Sequence, residues 1–282
     1  MYEIYRQSLI KEMELRGYSP RSIESYSKYL IRFLHFTNKP VDSLVNEDLK
    51  SFLHHLIAKK LSTSYINSVY SSVHLFFTLV LKKSFSLTDV PRVKNSKKLP
   101  VVLSRSEVDQ IISATSNLKH RAILMTTYSA GLRVSEAVRL KVSDVDSKNM
   151  QLHIHSGKSD KDRYAILSHQ NLLLLREYYK VYRPTDWLFP SGANSSMYLT
   201  SRTVQKTFKA STLKAGILKP VTVHTLRHSF ATHLLIAGTD IYTIMQLLGH
   251  NSIQTTSVYL HLALSKVLSV ASPLDREVSD FE

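Results

Sequence analysis

The 282-residue chain contains no cysteine. Disulfides, thiolate nucleophiles and cysteine-ligated zinc sites are therefore excluded from the start. Long apolar runs are also missing. None approaches the roughly 20 residues that cross a bilayer, and the opening MYEIYRQSLIKEME has no apolar h-region. A soluble, cytoplasmic protein with no membrane partner is the expectation. No G-x-x-x-x-G-K-[ST] loop is present to cradle nucleotide phosphates. His224 and His228 have the i, i+4 spacing of a zinc pair, but Thr225 stands where H-E-x-x-H needs a glutamate. With no acidic third ligand obvious nearby, neither a metal nor a cofactor is expected. Acidic residues are themselves scarce: 22 Asp and Glu face 37 Lys and Arg, a net charge of +15. That imbalance suits a polyanionic partner. Because no single amphipathic segment concentrates the charge, nucleic acid ranks ahead of a membrane, and a basic surface kept for solubility is the plainer alternative.

What is present reads as two domains. At 43% hydrophobic residues the chain can fill more than one core. Residues 1–90 show helical periodicity throughout. Ile23, Tyr26, Leu30, Phe33 and Leu34 follow Ser19-Pro20, an N-cap with proline at the first helical position. A second stripe (Leu49, Phe52, Leu53, Leu56) follows the turn-like Asn38-Lys39-Pro40, and a longer one runs from Val69 to Val80. With Tyr2, Leu9 and Met13 these make four helices, enough for a small bundle. Arg16, Arg21, Lys28, Arg32, Lys59 and Lys60 lie on its exposed faces as candidate phosphate contacts, or simply as solvated charges. Residues 91–100 have proline at each end, four basic residues and no acidic one, which predicts an extended basic linker or a solvated hinge.

The second domain, residues 101–282, opens on a capping box, Ser104 to Glu107, before Val108, Ile111 and Ile112. An apolar helix from about Arg121 ends at Ser129-Ala130-Gly131, and Leu132-Arg133-Val134-Ser135-Glu136 starts the next. Glu136 is three residues from Arg133, placed either to hold it or to cap the helix. Leu152 and Ile154 alternate with His153 and His155, and Tyr164 and Ile166 answer them across a polar tip, predicting a hairpin. A helix, a Trp187-Leu-Phe-Pro turn and a basic helix with Arg202, Lys206, Lys209 and Lys214 fill residues 170–215.

The most informative stretch is TVHTLRHSFATHLLIAGTDIYTIMQLLGHNSIQTTSVY, Thr222 to Tyr259. Ala231, Leu234 and Leu235 predict a helix over about Thr225–Ala237, closed by Gly238. His224 and Arg227 share a face at its start, where backbone N–H groups favour a phosphate. A second short helix runs from Asp240, its N-cap, to Gly249, leaving His250 in the turn. Asn251 is then placed to cap a third helix carrying Tyr259 near its end. Any one of these residues alone has an ordinary structural explanation; the combination is what is informative.

The pattern H-x-x-R, then L-G-H, then a tyrosine nine residues on, with G-L-R-V-S-E upstream, resembles the signature of the tyrosine recombinases, the phage integrase family. Strong over roughly residues 100–265 and architectural before that, the likeness is to the short, Xer- or integron-like kind. The resemblance implies a mainly α fold with a small β-hairpin or sheet. It also implies a two-domain DNA clamp: a helical core-binding domain and a catalytic domain. Its implied catalytic set is Arg133, Lys158, His224, Arg227, His250 and Tyr259. Lys158 is the hairpin lysine by its position after glycine, with Lys161 as rival. The arginines would hold the scissile phosphate, and His250 would donate to a non-bridging oxygen. His224 would assist proton transfer, and Tyr259 would form a 3′-phosphotyrosine. The implied partners are double-stranded DNA at specific recombination sites and a homo-tetramer that passes through a Holliday junction, in a mobile-element or related setting. The C-terminal tail, 262–282, would dock on a neighbouring protomer or cap its own domain. A topoisomerase-like enzyme and a non-catalytic DNA-binding protein of the same fold are the alternatives.

Overall fold

Serine caps and a proline set the first helices. In the computed structural model, which describes residues 2–83, 90–94, 99–155, 162–192 and 196–262, contacts divide the chain into two units, Met1–Lys97 and Lys98–Glu282. The first holds α1 (Glu3–Leu15), α2 (Pro20–Thr37), α3 (Asn46–Ala58) and α4 (Thr63–Leu79). Ser19 Oγ accepts from the Ser22 N–H to open α2, and Ser62 Oγ accepts from the Tyr65 N–H to open α4. Asn38 closes α2 in the left-handed region, φ 49°. Phe33, Phe52, Tyr70, Phe76 and Phe77 fill the core, and Ser72 ties α4 to α2 by donating to the Tyr26 carbonyl at 2.7 Å. Val90 is buried in that same core. The Asn67 side chain pairs with both the N–H and the carbonyl of Val93, at 3.2 and 3.0 Å, and the Arg92 guanidinium lies 4.8 Å from the Tyr70 ring centre. Residues 90–94 are therefore held on α4.

The second unit begins at α5 (Arg105–Ala114), whose Ser104–Glu107 capping box forms in both directions at 3.1 and 2.7 Å. Next is α6 (Leu118–Ser129), which starts earlier than its apolar pattern because Asn117 accepts from the His120 N–H. The one-turn α7 (Val134–Ala137) leads into an antiparallel sheet of β1 (Val145–Asp146), β2 (Gln151–Ile154) and β3 (Arg163–Ile166), in that order. The hairpin forms, with Leu152 and Ile154 buried as their alternation with the histidines predicts. Leu152 pairs with Ala165 and His153 with Tyr164, so Ala165 shares the core face while Tyr164 (60% exposed) and Ile166 lie outside. Completing the unit are α8 (His169–Tyr182), α9 (Ser201–Lys214), α10 (Val223–Ile236), α11 (Ile241–Leu248) and α12 (Ile253–Thr256). Asp240 caps α11 through the N–H groups of Tyr242 and Thr243. The cap of α12 is Ser252 rather than Asn251, and a 3₁₀ turn, Ser257–Leu262, carries Tyr259. Lys158, Lys161 and the chain from residue 263 onward lie outside the described residues. Among the described residues no helix is long and apolar enough to cross a membrane.

Candidate active site

The site is assembled from the ends of short elements. The chain leaves α6 through Gly131 at φ +62°, where an added Cβ would lie 2.3 Å from a Phe230 ring carbon. Neither the conformation nor the space admits a side chain. Arg133 follows, and its N–H and Nη1 donate to the two oxygens of Glu136 at 2.8 and 2.7 Å. Glu136 therefore both caps α7 and holds the arginine. Arg133 Nη2 reaches the Gly249 carbonyl at 3.4 Å, and its side chain remains 37% exposed, open to an incoming anion.

Arg227, one turn into α10, is 1% exposed. Nη1 donates to the Gly131 carbonyl at 2.8 Å and Nη2 to the Leu248 carbonyl at 2.6 Å, with Nη1 3.7 Å from Glu136. Burial, then the nearby Arg133 charge, pulls its pKa down to about 10, which still leaves it charged at neutral pH. A third guanidinium, Arg163 of β3, donates to Glu136 with Nη1 and Nη2 at 3.2 and 2.8 Å and to the Leu247 carbonyl at 3.0 Å. Burial works to raise the Glu136 pKa, but Arg163 first and Arg133 after it hold the carboxyl below its usual range. One anion thus serves a cluster of three cations. Sequence reasoning missed Arg163; the available signal was its place two residues from Ala165, on the inward face of β3.

His250 follows Gly249, whose left-handed φ of +62° turns the chain and whose missing Cβ leaves room for Arg163. Its Nδ1 lies 2.9 Å from the hydroxyl of Thr256, a fully buried residue that sequence reasoning also missed. A hydroxyl donating to Nδ1 leaves the imidazole proton on Nε2. Burial, followed by the charges of Arg227, Arg133 and Arg163, brings the His250 pKa to about 4, so the ring is neutral at physiological pH. Tyr259 is 2% exposed, packed with Phe230, Ile244 and Leu248. Its hydroxyl meets His228 Nδ1 at 3.0 Å. His228 is itself brought to about 4 by burial and by His224, whose ring centre lies 4.5 Å away. The tyrosine's immediate partner is therefore His228, with His224 behind it. Desolvation lowers the His224 pKa, and Arg227 and Arg133 add to the effect. Desolvation raises that of Tyr259, against the opposing pull of Arg227 and Arg133.

Arg133, Arg227 and His250 thus converge with Tyr259, and His224 stands beside its hydroxyl partner. Such an arrangement offers a phosphate the exposed guanidinium of Arg133 with the buried charge of Arg227 behind it, and keeps a tyrosine hydroxyl beside a neutral imidazole. The phage integrase family model matches residues 101–266, and a phage integrase N-terminal SAM-like domain matches residues 5–86. Sinorhizobium fredii protein y4qK, provisionally named an integrase/recombinase, is 39% identical over 272 residues, covering 96% of this chain and 88% of its own. Tyrosine recombinase XerD of Oceanobacillus iheyensis is 33% identical, covering 89% and 91%. Among solved structures, XerA recombinase matches with TM-score 0.56 at 31% identity over 95% of this chain and 97% of that one. XerH bound to difH substrate matches in fold, with TM-score 0.72 at 23% identity over 94% and 84%. The chain belongs to the phage integrase family. It is an enzyme of the integrase/recombinase type, a tyrosine recombinase that acts in site-specific recombination.

Proposed function

We propose that the chain cleaves and rejoins double-stranded DNA at specific sites, with Tyr259 as nucleophile and Arg133, Lys158, His224, Arg227 and His250 as its catalytic partners. The observation that carries this reading is the pair Arg133 and Arg227 on one carboxylate, both near enough to act on the Tyr259 hydroxyl. Tyr259 Oη attacks the scissile phosphorus, a phosphotyrosyl bond forms at the 3′ side, and the P–O5′ bond breaks. The phenolic proton passes to neutral His228 Nδ1 at 3.0 Å, with His224 next in line. The 5′ oxygen leaves with a proton from the hairpin lysine, Lys158 or its neighbour Lys161. Two guanidinium groups and the His250 Nε2–H neutralise the pentacoordinate phosphorane. Because the phosphotyrosyl ester keeps the bond energy, a 5′-hydroxyl can reverse the step and no nucleotide is consumed. At 2% exposure Tyr259 must leave its apolar pocket to attack, so DNA engagement is expected to shift the segment around residues 253–262.

In this reading residues 1–90 form a core-binding domain and 91–100 a basic linker that starts against α4 and then follows the DNA backbone. Residues 101–282 are the catalytic domain, whose tail, 262–282, docks on a neighbouring protomer of a tetramer. Exposed Arg16, Arg21, Lys28, Arg32, Lys59 and Lys60 supply phosphate contacts, and a cytoplasmic location follows from the substrate. The net charge of +15 and the DNA-bound state of XerH support these assignments. The test is to select bound DNA from the source genome and incubate the protein with a nicked version of it in excess EDTA. A denaturant-stable protein–DNA adduct is expected, lost in Tyr259→Phe while binding persists. Tight binding with no adduct from either protein would contradict the proposal.

A further inference from the structure

On the outer face of the small sheet, away from the arginine cluster, two imidazoles and two carboxylates meet. His153 and His155 are two apart on β2 and so project from one face, their ring centres 4.2 Å apart. Asp144, buried at the end of a 3₁₀ turn, is fixed by accepting from the Lys141 N–H at 2.8 Å, and its Oδ1 lies 2.9 Å from His155 Nε2. One ligand atom from each of Asp144, His153 and His155 fits within 4.8 Å of the others. Asp162 adds a nearby carboxylate, its Oδ2 3.3 Å from both His153 Nε2 and His155 Nδ1. The Tyr164 ring stacks on His153, centres 5.1 Å apart and 22° between planes, which limits that imidazole's rotation.

We propose that this cluster binds a first-row divalent transition ion such as zinc, at a site separate from the recombination chemistry. A tetrahedral zinc with nitrogen and oxygen ligands at about 2.0–2.1 Å sets neighbouring donors about 3.3 Å apart. The 2.9 Å between Asp144 Oδ1 and His155 Nε2 is near that spacing, and the three ligand atoms, all within 4.8 Å of one another, must draw in to close on an ion. Two imidazoles favour zinc, nickel or copper over calcium or magnesium, which take all-oxygen shells. The two aspartates match the ion's charge. Because His155 and Asp162 flank residues 156–161, the ion ties together the two ends of the segment that carries Lys158.

The test uses chelator-stripped full-length protein, titrated with zinc by calorimetry and with cobalt by visible absorption. One equivalent of zinc is expected, with cobalt showing the intense bands of a tetrahedral site. His153→Ala/His155→Ala should weaken zinc by about tenfold or more and abolish those bands, while His224→Gln/His228→Gln retains both. Should the double alanine variant lose its fold by circular dichroism, His155→Gln, at an exposed ring, takes its place with the same two readings. No stoichiometric binding, or binding unchanged by these substitutions, would overturn the proposal.

Discussion

The two units use their positive charge in opposite ways. In the first, Lys28 pairs with Glu24 at 2.6 Å with both side chains 64% exposed, Arg16 pairs with Glu12, and Arg32 donates to the Tyr65 hydroxyl. Such pairs contribute little, exchange readily with water and leave their cations available to a phosphate backbone. In the second unit Arg227 is 1% exposed, and its two hydrogen bonds among the described residues go to backbone carbonyls at element ends. Its desolvation is offset by those carbonyls and by Glu136, itself shared with Arg133 and Arg163. A charge that grips DNA anywhere can be mobile; one that must meet a single phosphate oxygen is built into the core. Preorganisation of that kind is what lowers a barrier.

Substitutions in each unit test this contrast. Glu136→Gln removes the only carboxylate bonded to the buried cations among the described residues and should destabilise the second unit by about 3–5 kcal/mol. Urea unfolding of the full chain would show this as a lower midpoint for that unit alone. Arg133→Lys keeps a charge but loses the fork, and should slow cleavage by about a hundredfold or more with the unfolding midpoint nearly unchanged. Gly131→Ala meets both the positive φ and the Phe230 ring, and should cost about 2 kcal/mol or more, read from the same urea curves. Acid should act next. His228 and His250 are held near 4, below the unfolded value of about 6.5. The unfolded chain therefore binds more protons between these values. Stability from these two groups is complete above about 6.5 and is lost as pH falls toward 4. Thermal melts over that range should fall less steeply for His250→Gln than for the unaltered chain. The smallest effect belongs to Glu24→Gln in the first unit, which should leave the melting temperature unmoved. A large loss there, or none at Glu136, would erase the distinction between the units.

Much of this was legible in the sequence because caps and apolar periods are local. Ser19-Pro20, the Ser104–Glu107 box, Asp240 and Gly249 all act within three or four residues, and each forms as its pattern predicts. Arg133, Arg227, His250 and Tyr259 were legible as a constellation, since fixed helix breaks bring them together. What escaped depends on pairing across distance. Arg163 reaches Glu136 only through the β2–β3 register, which neither strand specifies alone. Thr256 matters because it folds back onto His250, and His228 because the 3₁₀ turn, rather than a continuous α-helix, sets the tyrosine's direction. Ser252 displaced Asn251 as the cap, a one-residue choice that both side chains can make chemically.

The chain has 15 tyrosines, and the account stands on one of them. The most direct measurement is to trap the protein on a nicked recombination site, digest it, and identify by mass spectrometry the residue that carries the DNA phosphate. The account predicts a single phosphotyrosine at Tyr259. Linkage to any other residue, or strand cleavage that leaves no protein-bound phosphate, would contradict it.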